Sequence, residues 1–260
     1  METSIRGVVA AVVTPVDSSM QPDLENLISR VRFLLNNGCD GINLLGTTGE
    51  ATSFTVAQRS KIMEAVAGSG LPMDRVMVGT GAASVGDAVE LSKLAAELNF
   101  AAALLLPPFY YKPVTKGGIA DYVGAVVRAT ADAGLPIFLY NFPALSGIAY
   151  TRDIVADLLS KYGERIAGLK DSSGDIAYAE EIAALSPNLS VFPSNEAILL
   201  RARAGDFAGC ISATANLNHE ECARAFHDGD ENALTRAIAI RGAFADLPLV
   251  PGIKATLALR

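Results

Sequence analysis

Tryptophan is absent from this 260-residue chain, histidine occurs only twice and cysteine only three times. His219 and His227 share no metal-ligand spacing with Cys39, Cys210 or Cys222, so the sequence offers no metal site. The cysteines are odd in number and scattered without a Cys-x-x-Cys pair, which fits reduced thiols rather than a disulfide framework. There is no basic run, and the net charge of −7 argues against nucleic-acid binding. No apolar run is long enough to cross a bilayer. Residues 1–6 lack the apolar core of a secretory signal, and a cytoplasmic protein is expected. Linkers, charge blocks and low-complexity stretches are also missing. With 50% hydrophobic residues, the chain is long enough for one large domain with a substantial core.

What is present is a repeated alternation. Short apolar runs at 8–13, 41–45, 76–78, 101–106, 136–140, 166–170, 190–192 and 209–212 read as buried strands. Each is followed by a helical pattern. Pro22 stands where a first helical residue belongs, Leu24, Leu27, Ile28, Val31, Leu34 and Leu35 recur at helical spacing, and Gly38 is a stop. Thr55 with Gln58 forms a capping box for a helix through Ala67. Ser84 with Asp87 opens a helix to Leu98, a later helix runs through Ala133, and another spans 151–161. Ser194 is read as a cap, and Asn218 with Glu221 as the opening of the helix after the eighth strand. Eight such units predict a (β/α)8 barrel over residues 1–225, although an open doubly wound sheet uses the same alternation. Residues 226–260 read as a C-terminal helical extension, with Pro248, Pro251 and Gly252 breaking its last two helices apart.

In a barrel of this kind the active site lies at the carboxyl ends of the strands. Thr14, Thr47, Thr48, Tyr110, Tyr140, Lys170, Ser194 and Ser212 fall there. Lys170 closes the sixth apolar run, where it is either an ion-paired structural residue or an amine able to attack a carbonyl. Tyr140 closes the fifth run, which makes the two neighbours and the phenol a proton shuttle for carbinolamine chemistry. Hydroxyls and free N–H groups of Thr47-Thr48-Gly49 suit a small carboxylate. Gly79-Thr80-Gly81-Ala82-Ala83-Ser84 has the position of a dinucleotide loop but lacks the third glycine. The next strand also ends without an acid for a ribose, so no nucleotide cofactor is expected. Phe109-Tyr110-Tyr111 reads as loop packing or a subunit contact.

Four motifs together carry a resemblance: Gly46-Thr47-Thr48-Gly49-Glu50, Pro108-Phe109-Tyr110-Tyr111, Tyr140-Asn141-Phe142-Pro143 and Gly168-Leu169-Lys170-Asp171. The chain resembles the pyruvate-dependent class I aldolases of the dihydrodipicolinate synthase and N-acetylneuraminate lyase family. The resemblance implies that Lys170 forms a Schiff base with pyruvate and that Tyr140 is the acid–base residue. It makes Thr47 the relay between Tyr140 and a Tyr110 reaching from a neighbouring subunit. Thr48 would hold the pyruvate carboxylate, and the Ile211 carbonyl would face the pyruvate. The partners implied are pyruvate, an aldehyde co-substrate and further copies of the chain in a homotetramer of tight dimers. The resemblance also implies more helices beyond Leu257-Ala258-Leu259-Arg260, where this sequence stops.

Departures from the family pattern narrow the substrate. The synthases continue the tyrosine motif to an arginine that grips a second carboxylate; here Leu145 stands at that position and cannot do so. The run from Tyr140 to Gly147 is instead similar to the sialic acid lyases, with Ser172 and Glu196 at positions that would meet sugar hydroxyls. Asn195 and Ala213 depart from those lyases. The expectation is cleavage or formation of a carbon–carbon bond in a 2-keto-3-deoxy sugar acid or a related 4-hydroxy-2-oxo acid. A lysine-pathway synthase, a dehydratase on the same mechanism, and a non-catalytic binding protein on the same fold are the alternatives.

Overall fold

The computed structural model describes residues 5–259, and every one of the eight apolar runs contains a strand. The strands are β1 (Gly7–Ala11), β2 (Gly41–Leu44), β3 (Val76–Gly79), β4 (Ala102–Leu105), β5 (Ile137–Asn141), β6 (Ile166–Asp171), β7 (Ser190–Pro193) and β8 (Gly209–Ser212). All pair in parallel in the order β7-β6-β5-β4-β3-β2-β1-β8. The two end strands approach one another, and Ala208 N–H donates to Val191 O at 2.9 Å across the seam. The sheet is therefore a nearly closed barrel rather than an open one.

Helices α1 (Leu24–Asn36), α2 (Val56–Ala67), α3 (Val85–Glu97), α4 (Lys116–Ala129), the single turn α5 (Pro143–Ser146), α6 (Arg152–Tyr162), α7 (Ile176–Ala183), α8 (Leu199–Ala204) and α9 (Ala215–Ala223) follow the strands. Two more, α10 (Glu231–Gly242) and α11 (Leu249–Ala258), form the C-terminal extension. Side-chain alternation divides each strand between two cores. Val8, Ala10, Ile42, Leu44, Val78 and Leu139 face the helices. Val9, Ala11, Met77, Leu104, Phe138 and Phe192 fill the barrel interior, which is a packed core and not a pore. No helix among the described residues is long and apolar enough to cross a membrane.

Local signals hold where a side chain satisfies a free N–H. Thr55 and Gln58 complete their capping box, and the Ser84 side chain accepts from Asp87 N. Others are corrected. Pro22 lies before α1 in a bridge with Val16, because Asp23 is the cap and accepts from Asn26 N. Ser194 does not cap; Asn195 accepts from Ala197 N at 3.0 Å instead. Asn218 does not open a helix but sits inside α9 at φ −112°, its amide donating to Ala237 O at 3.0 Å. The helix expected through Ala133 ends at Ala129, where the Thr130 hydroxyl turns back to Val126 O. Pro251 and Gly252 do not break a helix: they lie in the first turn of α11, where a missing N–H leaves no bond unmade.

The extension joins the barrel without a gap, since α9 runs directly into a π-turn (Arg224–Asp228) that spans the expected boundary at 225. Ile253 of α11 packs on Val13 and Leu217 at the carboxyl end of β1. The extension therefore rests on the barrel mouth.

Candidate active site

Lys170 reaches the interior because β6 carries a bulge. The register pairs Ile137 with Ile166 and then Phe138 with Gly168, so Ala167 is skipped. Ile166 faces the helices, and two-residue parity from it would send Lys170 outward as well; the extra residue reverses that. Gly168 is required beside it, since a Cβ there would lie 2.3 Å from a ring carbon of Phe138. Lys170 is thereby 4% exposed, paired in register with Tyr140, with its Nζ 4.2 Å from the centre of the Tyr140 ring. The Tyr140 phenol and Thr47 Oγ1 share a hydrogen bond of 3.1 Å. Burial alone would push the Tyr140 pKa up. The Lys170 charge and hydrogen bonds from Thr47, Ser172 and Lys170 outweigh it, so the phenol is more acidic than usual.

The strand ends that carry this pair are tied together. Asn141 Nδ2 donates to Asp171 Oδ1 at 2.8 Å, Ser173 Oγ donates to Oδ2 at 2.8 Å, and Asn141 Oδ1 accepts from Tyr150 N at 3.0 Å. Burial raises the Asp171 pKa although these bonds oppose it. The loop carrying Thr47 and Thr48 is flanked by Leu45 at φ 51° and Glu50 at φ 53°, both in the left-handed region. It is anchored twice. Thr14 Oγ1 donates to Gly49 O at 2.8 Å, and Glu50 pairs with Lys254 of α11 at 2.6 Å.

The residues expected at the site divide into two groups. Lys170, Tyr140 and Thr47 are in contact, Thr48 is buried beside Thr47, and Ile211 lies on the inner wall. Ser172 follows β6, half-buried, with its hydroxyl acting on the Tyr140 phenol. Glu196 is elsewhere. It is fully buried, accepts from Ser212 Oγ (2.6 Å) and from Thr214 Oγ1, and pairs with Arg241 at 3.0 Å. Ser212 faces outward to that carboxylate, so neither meets the mouth, because β8 points Ile211 inward and its neighbours out. Ser194 spends its carbonyl on Arg241. Tyr110 stands apart from Tyr140, 70% exposed and edge-on to Tyr111. A cavity of about 320 Å³ opens at the mouth, lined by Thr47 and Tyr140 together with Leu106, Phe109, Phe142 and Leu145.

Asp171, Lys254 and Arg241 were not singled out from the sequence. An acid directly after the lysine that closes an apolar run was the available signal for Asp171; Lys254 and Arg241 declare themselves only through packing. The three cysteines are buried free thiols, and among the described residues no group of three His, Cys, Asp or Glu side chains could hold a metal ion.

Comparison with known proteins agrees with this geometry. Residues 4–254 match the Dihydrodipicolinate synthetase family. An uncharacterized DapA-like lyase of Chloroflexus aurantiacus is 36% identical over 97% of this chain and 86% of its own length. The N-acetylneuraminate lyase of Salmonella typhimurium is 32% identical over 88% of this chain and 77% of its own. Among solved structures, dihydrodipicolinate synthase from Agrobacterium tumefaciens superposes with a TM-score of 0.89 at 28% identity, covering 96% of this chain and 86% of that one. A prophage protein of the same family from E. coli K12, solved in complex with pyruvate, gives 0.88 at 25% identity, covering 98% and 88%. The eight-stranded barrel, the inward Lys170–Tyr140–Thr47 cluster and this extent of similarity place the chain in the dihydrodipicolinate synthetase family, as an enzyme of the lyase class.

Proposed function

We propose that the chain is a pyruvate lyase or aldolase working through a Schiff base on Lys170, with a 2-keto-3-deoxy sugar acid or a related 4-hydroxy-2-oxo acid as its longer substrate. The Lys170 amine adds to C2 of the 2-oxo acid, and loss of water leaves an iminium that draws electrons from C3. In the forming direction C3 gives a proton to the Tyr140 oxygen, the enamine attacks the aldehyde carbon, and the new alkoxide takes that proton back from Tyr140. Hydrolysis of the iminium then frees the amine. Cleavage runs these steps backwards, with Tyr140 receiving the C4 hydroxyl proton. The lowered phenol pKa suits a group that must both give and take that proton. Thr47 holds the phenol oriented and passes its proton on.

The observation that carries this reading is the buried amine 4.2 Å from a phenol ring that is itself bonded to a threonine hydroxyl, all at the mouth of the barrel. An ion-paired structural lysine would have a carboxylate in that place. Leu145, 63% exposed on the rim, argues against the lysine-pathway synthase, since it offers nothing to a second carboxylate. The exposed Tyr110 supports a partner-shared site in a homotetramer. Treatment with pyruvate and borohydride is expected to leave a reduced three-carbon adduct on Lys170, located by peptide mass spectrometry. A lysine left unmodified at saturating pyruvate would remove the proposal. A panel of keto-deoxy acids set against aspartate semialdehyde plus pyruvate then separates lyase from synthase by the product formed.

A further inference from the structure

The inner wall of the barrel carries one polar side chain that the proposed chemistry does not use. Asn43 lies on β2 and is fully buried. Its neighbours Ile42 and Leu44 face the helices, so strand alternation turns Asn43 inward. Its register partners are Ala11 and Met77, both of the inner wall. Neither the amide nitrogen nor the amide oxygen has a hydrogen-bond partner.

The amide is aimed at the mouth loop. A Cβ built on Gly46 would fall 2.4 Å from Asn43 Nδ2, so the nitrogen lies against the residue immediately before Thr47. Asn43 thus lies on the inner wall against the start of the Thr47-Thr48-Gly49 turn. An orphaned amide at such a place destabilises the fold, and a leucine of similar shape would pack there without that cost. A stability cost of this kind, carried directly beneath the turn that lines the mouth cavity, points to a group kept for a ligand.

We propose that Asn43 is a substrate-binding residue whose Nδ2 donates a hydrogen bond to the carboxylate of the 2-oxo acid held on Lys170. This rests on the proposed Schiff-base reading. The threonine turn brings only neutral donors to that carboxylate, and Asn43 adds a third from below, in a dry wall where a hydrogen bond to a charged oxygen is strong. Gly46, without a side chain, lets the amide nitrogen lie directly against the start of the threonine turn.

The test uses Asn43→Leu, with Asn43→Ala as a second variant should the leucine fail to fold. Borohydride trapping on Lys170 is followed against pyruvate concentration, and again with acetone, a ketone without a carboxylate. Half-saturation by pyruvate is expected to rise about ten- to a hundredfold, the range for losing a hydrogen bond to a charged group. Acetone trapping should be unchanged, and the melting temperature of Asn43→Leu equal to or above that of the unmodified sequence. An unchanged pyruvate midpoint, or an equal loss with acetone, overturns the assignment while leaving the Schiff base intact. Failure of the unmodified sequence to trap pyruvate at all would instead count against the Schiff-base reading itself, and this inference would fall with it.

Discussion

Asp171→Ala tests whether the two strand ends are held together as the hydrogen bonds imply. The carboxylate is 2% exposed and takes three bonds, from Asn141 Nδ2 at 2.8 Å, Ser173 Oγ at 2.8 Å and Ser173 N at 3.2 Å. Truncation strands the Asn141 amide and the Ser173 N–H, while the Ser173 hydroxyl can rotate to water. Two stranded donors at about 1–3 kcal/mol each give a gross loss of about 2–6 kcal/mol. Relief of the burial that raises the Asp171 pKa offsets part of this, leaving a net loss of about 3 kcal/mol. For a chain of this size that lowers the melting temperature by about 6–12 °C. Far-UV circular dichroism is the appropriate probe, because the chain has no tryptophan to report unfolding. The rate of borohydride trapping on Lys170 should fall as well, since Asn141 and Asp171 directly follow Tyr140 and Lys170 in the paired strands. A melting shift below about 2 °C with an unchanged trapping rate would refute the idea that this contact holds Lys170 and Tyr140 in register.

Thr47→Val keeps the shape of the side chain and deletes the hydroxyl bonded to Tyr140; turnover is expected to fall about ten- to a hundredfold with pyruvate trapping retained, and full turnover would remove Thr47 from the proton path. Lys254→Met releases Glu50, and because the pair is partly exposed the stability loss should be only about 1 kcal/mol. Turnover should drop severalfold through the loosened Thr47–Thr48 loop and return in Lys254→Arg; equal losses in both variants would contradict an ion-pair role. The pH dependence of stability offers a further check. Asp171 has a raised pKa when folded, so its contribution is full below the ordinary carboxylate range and is lost as pH rises through the raised value. Asp171→Asn cannot titrate and should flatten that part of the stability curve; parallel curves for the two proteins would contradict the assignment.

The barrel was legible in the sequence because burial on both faces writes a parallel strand as an unbroken apolar run, with turn residues and caps marking each crossover. Tyr140 beside Lys170 was legible for a related reason: adjacent strands in a barrel bring consecutive strand ends together. Thr55 and Ser84 were readable because a cap is a local bond, complete within one turn of helix. Side-chain facing was not. Glu196 shared the chain neighbourhood of the mouth yet turned to Arg241 and Ser212, because β8 and α10 together supplied it with partners.

By itself, then, the order of residues determined the number of strands, their parallel alternation with helices, and which strand ends carry an amine, a phenol and hydroxyls. The tertiary structure alone decided that the extra residue at Ala167 swings Lys170 inward, that Glu196 lies behind the wall, and that the Asn43 amide lies against Gly46 without a partner. The physical reason is one of range. Run length and capping are settled by residues a few positions apart, whereas facing and polar satisfaction depend on neighbours the chain meets only after the barrel has closed.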